Sequence, residues 1–151
     1  MRLYRIADSR FGPENGEGAR LYGARWNSPG RAVIYASTTY AGAMLEKLVH
    51  TGRQIPKHQV CVTFEFPDEL PLISVDETSL SGWRNDDLKV SRDVGDAWLG
   101  MAQTAILLVP SIVYDVDRNA LINPTHTDAK RIQTISIAPI RWDDRLFTLP
   151  G

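Results

Sequence analysis

Residues able to do chemistry punctuate this chain in a definite order. Arg25 sits in Gly23-Ala24-Arg25-Trp26-Asn27, a glycine-flanked aromatic loop. A guanidinium offers forked donors that match a pyrophosphate or a carboxylate. Tyr35 closes the apolar run Val33-Ile34-Tyr35 ahead of a helical segment, a place where an aromatic ring can stack on a ligand. Glu46 lies in that helical segment. A carboxylate beside a cleft stabilises a developing oxocarbenium ion or accepts from a ribose hydroxyl. Ser111 follows Pro110 after the apolar run Ala105 to Val109, and its hydroxyl suits an amide or a phosphate. Asn27 supports the arginine loop, and Asn123 and His126 share a second polar loop. Such a set fits a phosphate-bearing ligand and the cation left when a bond to a sugar breaks.

Each residue also has a plainer reading. Arg25 can serve a structural ion pair or stack on Trp26. Tyr35 can be a core tyrosine with a satisfied hydroxyl. Glu46 can pair with Lys47, Arg53 or His50, the last at i, i+4. Ser111 lacks a Gly-x-Ser-x-Gly elbow, so a turn serine is the plain alternative to a ligand contact. An Asn-Pro turn explains most of the signal around Asn123 and His126. Gly12, Gly16 and Gly18 form neither a dinucleotide fingerprint nor a P-loop.

The elements that must position these residues follow from patterning. Leu3 to Ala7 reads as an edge strand and residues 8 to 24 as an open glycine-rich loop. Ala32 to Ala36 reads as a strand. Ser37 then caps a helix from Thr38 to about His50, with Ala41, Met44, Leu45, Leu48 and Val49 as its apolar stripe. Glu46 falls about 130° from the centre of that stripe. His58 to Phe66 alternates, with Val60, Val62, Phe64 and Phe66 on one face. Leu72 to Val75 is a further strand. Ser91 caps a second helix, Arg92 to Gln103, and Ala105 to Val109 is a buried central strand. Ile112 to Val116 is extended, Asp117-Arg118-Asn119 a turn, Asp128 to Ile132 a short helix and Thr134 to Ile140 a last strand. The whole reads as a single α/β (α+β) domain over residues 1–151.

Bulk properties narrow the function classes. The 151 residues suffice for one domain with its own core. A net charge of −1 argues against a basic nucleic-acid-binding face. The lone cysteine, Cys61, excludes an intramolecular disulfide and lies mid-strand as a packed thiol. His50, His58 and His126 show no zinc-ligand spacing, so no metal is expected. Met1 to Arg5 lacks a signal-peptide core, and no apolar run nears the ~20 residues that span a bilayer. A cytoplasmic protein without membrane contact is the expectation.

In this order the residues resemble something specific. Tyr4-Arg5-Ile6, Gly23 to Asn27, Val33 to Ala36, Leu45-Glu46 with His50, Trp98-Leu99, Val109-Pro110-Ser111 and Asn123-Pro124 with His126 resemble the RES-domain family, over roughly Leu3 to Phe147. The commoner family spelling has two glycines before the arginine; here the second is Ala24. The resemblance implies a bacterial toxin whose fold is similar to the ADP-ribosyltransferase toxins, with mixed, mostly antiparallel sheets, flanking helices and an NAD cleft. It implies depletion of NAD as substrate, by phosphorolysis with inorganic phosphate or by hydrolysis, and in one branch ADP-ribosylation of a protein. It implies an Xre-like helix-turn-helix antitoxin as partner, DNA contact only through that antitoxin, and a toxin homodimer inside a larger assembly. Carried over by position, the functional residues are Arg25, Tyr35, Glu46 and Ser111, with Asn27 and Asn123 as further binding candidates. A metal-independent ribonuclease using Glu46, His50 and Arg25 is the rival from another class.

Overall fold

The computed structural model describes residues 1–52 and 54–148. Arg53, one partner considered for Glu46, lies outside them. The strands are β1 (Arg2–Asp8), β2 (Ile34–Ser37), β3 (Gln59–Glu65), β4 (Leu72–Ser74), β5 (Ile106–Val109), β6 (Asn119–Ile122) and β7 (Gln133–Pro139); β3 alternates apolar and polar residues, whereas β5 is apolar throughout. They form one seven-stranded sheet in the order β4-β5-β6-β2-β1-β3-β7. Only β4 and β5 run parallel; the other neighbours are antiparallel. The expected mixed, mostly antiparallel α/β architecture is therefore present, as a single sheet. Among the described residues three α-helices flank it: α1 (Glu17–Tyr22), α2 (Tyr40–His50) and α3 (Lys89–Met101).

Two apolar clusters hold the sheet. Leu3, Ile34, Ala36, Val62, Phe64, Ile106, Ala120 and Ile122 alternate onto one face and pack with Phe66 and Leu70. Val33, Leu107, Val109 and Leu121 join Trp26, Trp83, Trp98 and Leu99 in the second cluster, which α3 covers. Cys61 is buried, as its mid-strand position suggested.

Several local expectations are corrected. β1 is interior, between β2 and β3, rather than an edge. The loop after it contains α1 and a short 3-10 turn at Ser9–Phe11. Thr39, not Ser37, caps α2: its side chain accepts from the Gly42 amide, while Ser37 ends β2. The supposed core stripe of α2 faces partly outward, with Leu45 43% and Val49 58% exposed, and the buried positions are Gly42 and Ala43. α3 starts at Lys89, so Ser91 lies inside it and donates to the Trp83 carbonyl. Residues 112–116 form no strand; pairing resumes at Asn119, where a turn was expected.

One junction decides where a ligand can go. β1 pairs with β3 along its whole length, Arg2↔Glu65 to Asp8↔Gln59, but meets β2 only at Tyr4↔Ser37. Beyond that pair the two strands diverge. The Arg5 side chain bridges the gap, donating from Nη1 to the Tyr35 carbonyl at 2.9 Å and from Nε to the Pro13 carbonyl at 2.8 Å.

Candidate active site

Where β1 and β2 part, a cleft of about 450 Å³ opens. Its walls include Tyr4, Arg5 and Asp8 of β1, Tyr35 and Ser37 of β2, Ala24, and Asn119 of β6. Ala43, Glu46, Lys47 and His50 of α2 close it on one side. Their spacing of i, i+3, i+4, i+7 puts all four on one helix face. That face, rather than the apolar stripe, meets the cleft.

Glu46 is the best-anchored group in the cleft. Sheet register aligns Tyr4, Ser37, Asn119 and Val109 in one row across four strands, so Ser111 lands beside Asn119. The Ser111 hydroxyl donates to Glu46 Oε1 at 2.6 Å, and Asn119 Nδ2 donates to the same oxygen at 2.7 Å. Tyr114 donates to Asn119 Oδ1, fixing which way the amide points, and lies 2.9 Å from the Ser37 hydroxyl. Ser111 also accepts from the Val113 amide at 2.9 Å. The half-buried carboxylate is thus held by donors on one oxygen while Oε2 lies outside both bonds. Burial pushes the Tyr114 phenol up, so it stays a donor across the ordinary pH range.

Tyr35 lines the same cleft, but its hydroxyl is turned away from it. It donates to Asn27 Oδ1 at 2.7 Å and accepts from the Trp26 amide at 3.1 Å. Burial raises this phenol well above its ordinary value. Tyr35 therefore offers a ligand its ring and not a proton. Asn27 is fully buried, and its amide also donates to the Ala19 and Ser28 carbonyls at 2.9 and 3.1 Å. It latches the arginine loop to α1 and to Tyr35.

The arginine loop rests on α3. Asp96 accepts from the Ser28 amide at 2.9 Å and the Ser28 hydroxyl at 2.6 Å, and Arg92 donates to the Ala24 carbonyl at 3.0 Å. Gly95 makes this approach possible: a Cβ there would stand 1.7 Å from the Trp26 carbonyl oxygen. Gly23 carries the loop's left-handed turn, at φ 67°, whereas Ala24 is not among the residues with positive φ. Alanine in place of the second glycine therefore meets no left-handed strain.

The structure brings Tyr35, Glu46 and Ser111 together and sets two other candidates apart. Arg25 does not line the cleft, although Ala24 does; its Nη1 donates to the Trp83 and Asn85 carbonyls at 3.0 and 3.3 Å. Asn123 lies at the far end of β6, about 13 Å along the strand from Asn119. There its Oδ1 accepts from the Thr125 amide and hydroxyl, and its own amide donates to the Ala105 carbonyl. His126 sits in the same loop, with Nδ1 accepting from the Asp128 amide. Sequence reasoning missed Asn119, Tyr114 and Lys47, and used Arg5 only as part of a motif. Among the described residues no group of three or more His, Cys, Asp or Glu side chains could hold a metal ion, and no helix is long and apolar enough to cross a membrane.

Comparison with known proteins converges on one family. Residues 2–143 match the RES domain. The chain is similar to the Prs ADP-ribosylating toxin of Sphingobium sp. (strain YBL2), with 36% identity over 139 residues, covering 88% of this chain and 86% of that protein. It is 34% identical to the Toxin Res of Yersinia enterocolitica, covering 97% of this chain and 99% of that protein. Its fold matches a chain of the M. tuberculosis MbcT-MbcA toxin-antitoxin complex with a TM-score of 0.70 at 19% identity, covering 97% of this chain and 86% of that chain. A domain match of this length, together with relatives above 30% identity over nearly the entire chain, establishes that the protein belongs to the RES domain family.

Proposed function

We propose that this protein is the toxin of a toxin–antitoxin pair and that its cleft cleaves the nicotinamide–ribose bond of NAD. The observation that carries this reading is the Glu46 carboxylate, held at the cleft by Ser111 and Asn119 on one oxygen. As the C–N bond breaks, its electron pair neutralises the pyridinium and nicotinamide leaves uncharged. Positive charge develops on the ribose, and a preorganised carboxylate stabilises that charge without having to reorient. Tyr35 supplies a ring face for the nicotinamide. Arg25 acts by holding the loop that presents Ala24, through its bonds to the Trp83 and Asn85 carbonyls. Asn27 fixes Tyr35 and so acts through it. Asn123 acts at a distance from the cleft, by securing the turn after β6.

The family and relatives named as toxins support the toxin reading. The partner is an antitoxin, of Xre-like helix-turn-helix type, bound to a toxin homodimer, and the setting is the cytoplasm, where NAD is plentiful. One relative is named as an ADP-ribosylating toxin, which favours a second reading: transfer of ADP-ribose to a protein from the same cleft.

Purified, antitoxin-free protein incubated with NAD tests both. Release of nicotinamide with ADP-ribose-1″-phosphate in the presence of phosphate supports phosphorolysis, and free ADP-ribose supports hydrolysis. Label from NAD appearing on a macromolecule, with bulk NAD nearly intact, supports the second reading. NAD left intact with no labelled product, in a folded preparation, overturns both.

A further inference from the structure

The Asn119 amide can meet Glu46 in two ways, and only one of them helps a carboxylate. A carboxylate accepts hydrogen bonds and donates none, so Glu46 needs the amide nitrogen. The nitrogen and oxygen of an amide are nearly the same size, so packing cannot choose between the two orientations. Hydrogen bonding on the far side of the amide has to choose. There the Tyr114 hydroxyl donates to Asn119 Oδ1, which leaves Nδ2 to donate to Glu46 at 2.7 Å. A phenol has one proton, and burial pushes that of Tyr114 up, so the hydroxyl keeps it. With the proton committed to Asn119, the Ser37 hydroxyl, 2.9 Å away, must donate to the Tyr114 oxygen. The other acceptor near Ser37, the Arg118 carbonyl, stands further off at 3.4 Å.

The result is a row of donors that all point one way, from Ser37 through Tyr114 and Asn119 to Glu46. Bonds aligned head to tail polarise one another, and a charged acceptor at the end strengthens each of them. Three elements meet to build the row: the end of β2, the loop before β6, and β6 itself. A fourth, α2, leaves it room. A Cβ on Gly42 would stand 2.5 Å from the Ser37 hydroxyl and 2.9 Å from that of Tyr114. We propose that Tyr114 is a positioning residue, whose hydroxyl turns the Asn119 amide so that its NH2 group rather than its carbonyl oxygen meets Glu46. This rests on the reading of Glu46 as the group that stabilises the sugar cation, and deepens it. Without the phenolic proton, Oδ1 loses its donor and the amide is free to turn. Its oxygen would then face the carboxylate, and Glu46 would keep only the Ser111 bond to hold it in place.

A double-mutant cycle joined to a spectroscopic readout tests this. Wild type, Tyr114→Phe, Asn119→Ala and the double variant are compared in NAD cleavage. The Asn119 side-chain NH2 signals, identified by their loss in Asn119→Ala, are followed by 1H–15N NMR without NAD. Tyr114 is half-buried, and thermal melting checks that Tyr114→Phe remains folded. Tyr114→Phe should lower kcat about tenfold with KM within about twofold. In the Asn119→Ala background the same change should cost nothing further, because Tyr114 acts through the amide. The Asn119 NH2 protons should exchange with solvent about tenfold faster in Tyr114→Phe. An equal fall in kcat in both backgrounds, or NH2 signals and exchange unchanged by Tyr114→Phe, overturns the proposal. Release of the NH2 group in a protein that leaves NAD intact removes only the function proposed above. NAD cleavage with the NH2 group unmoved by Tyr114→Phe removes only the positioning role.

Discussion

At the scale of single residues, the site separates groups that meet a ligand from groups that hold them. Glu46→Gln removes the charge and keeps the shape; NAD cleavage should fall about 10²–10³-fold with the melting temperature nearly unchanged, and retention of activity would discard the carboxylate as charge stabiliser. Tyr35→Phe should do the reverse. Its hydroxyl serves Asn27 and the Trp26 amide, so the variant should lose about 1–3 kcal/mol of stability while cleavage by the folded protein stays within a few-fold. Denaturant unfolding beside steady-state rates separates the two effects. Glu46, Tyr35 and Ser111 were legible in the sequence through their order along the chain. Asn119 and Tyr114 were not, because their role exists only once register places β6 beside β2 and the Ser111 turn.

At the scale of elements, α2 and α3 show where periodicity informs and where it misleads. The apolar stripe of α2 was legible, but the direction it faces was not. Leu45 and Val49 keep about half of their surface in solvent, and the cleft takes the face that carries Glu46 and Lys47. Leu45→Glu should therefore leave stability within about 0.5 kcal/mol. A loss of several kcal/mol on thermal unfolding would show that the stripe packs inward after all. α3 carries the opposite lesson: nothing in its pattern marks Gly95, yet the Trp26 backbone lies against it. Gly95→Val should cost about 1–3 kcal/mol or more by overpacking. It should also loosen the arginine loop, seen as perturbed tryptophan fluorescence from the stacked Trp26 and Trp83 rings.

At the scale of the whole molecule, strands were legible where alternation was strong, as in β3 and β7, or where the run was apolar, as in β5, and β6 was lost. Asn119–Ile122 is four residues between two turn-forming segments, and it pairs on one side with β5, the strand before it, and on the other with β2, remote in sequence. Strand order is set by such nonlocal pairs, which no local pattern encodes, so the interior place of β1 had to come from the structure. The parting of β1 from β2 has a consequence for how the protein can be watched. In an antiparallel ladder successive residues point their amides to opposite edges. Every second amide of β1 between Arg5 and Asp8 therefore faces the gap rather than β3. In the empty protein these amides should exchange with deuterium far faster than their neighbours on the same strand. A ligand that closes the gap should slow them selectively, giving a strand-resolved clock for occupancy that runs even in a variant unable to turn over.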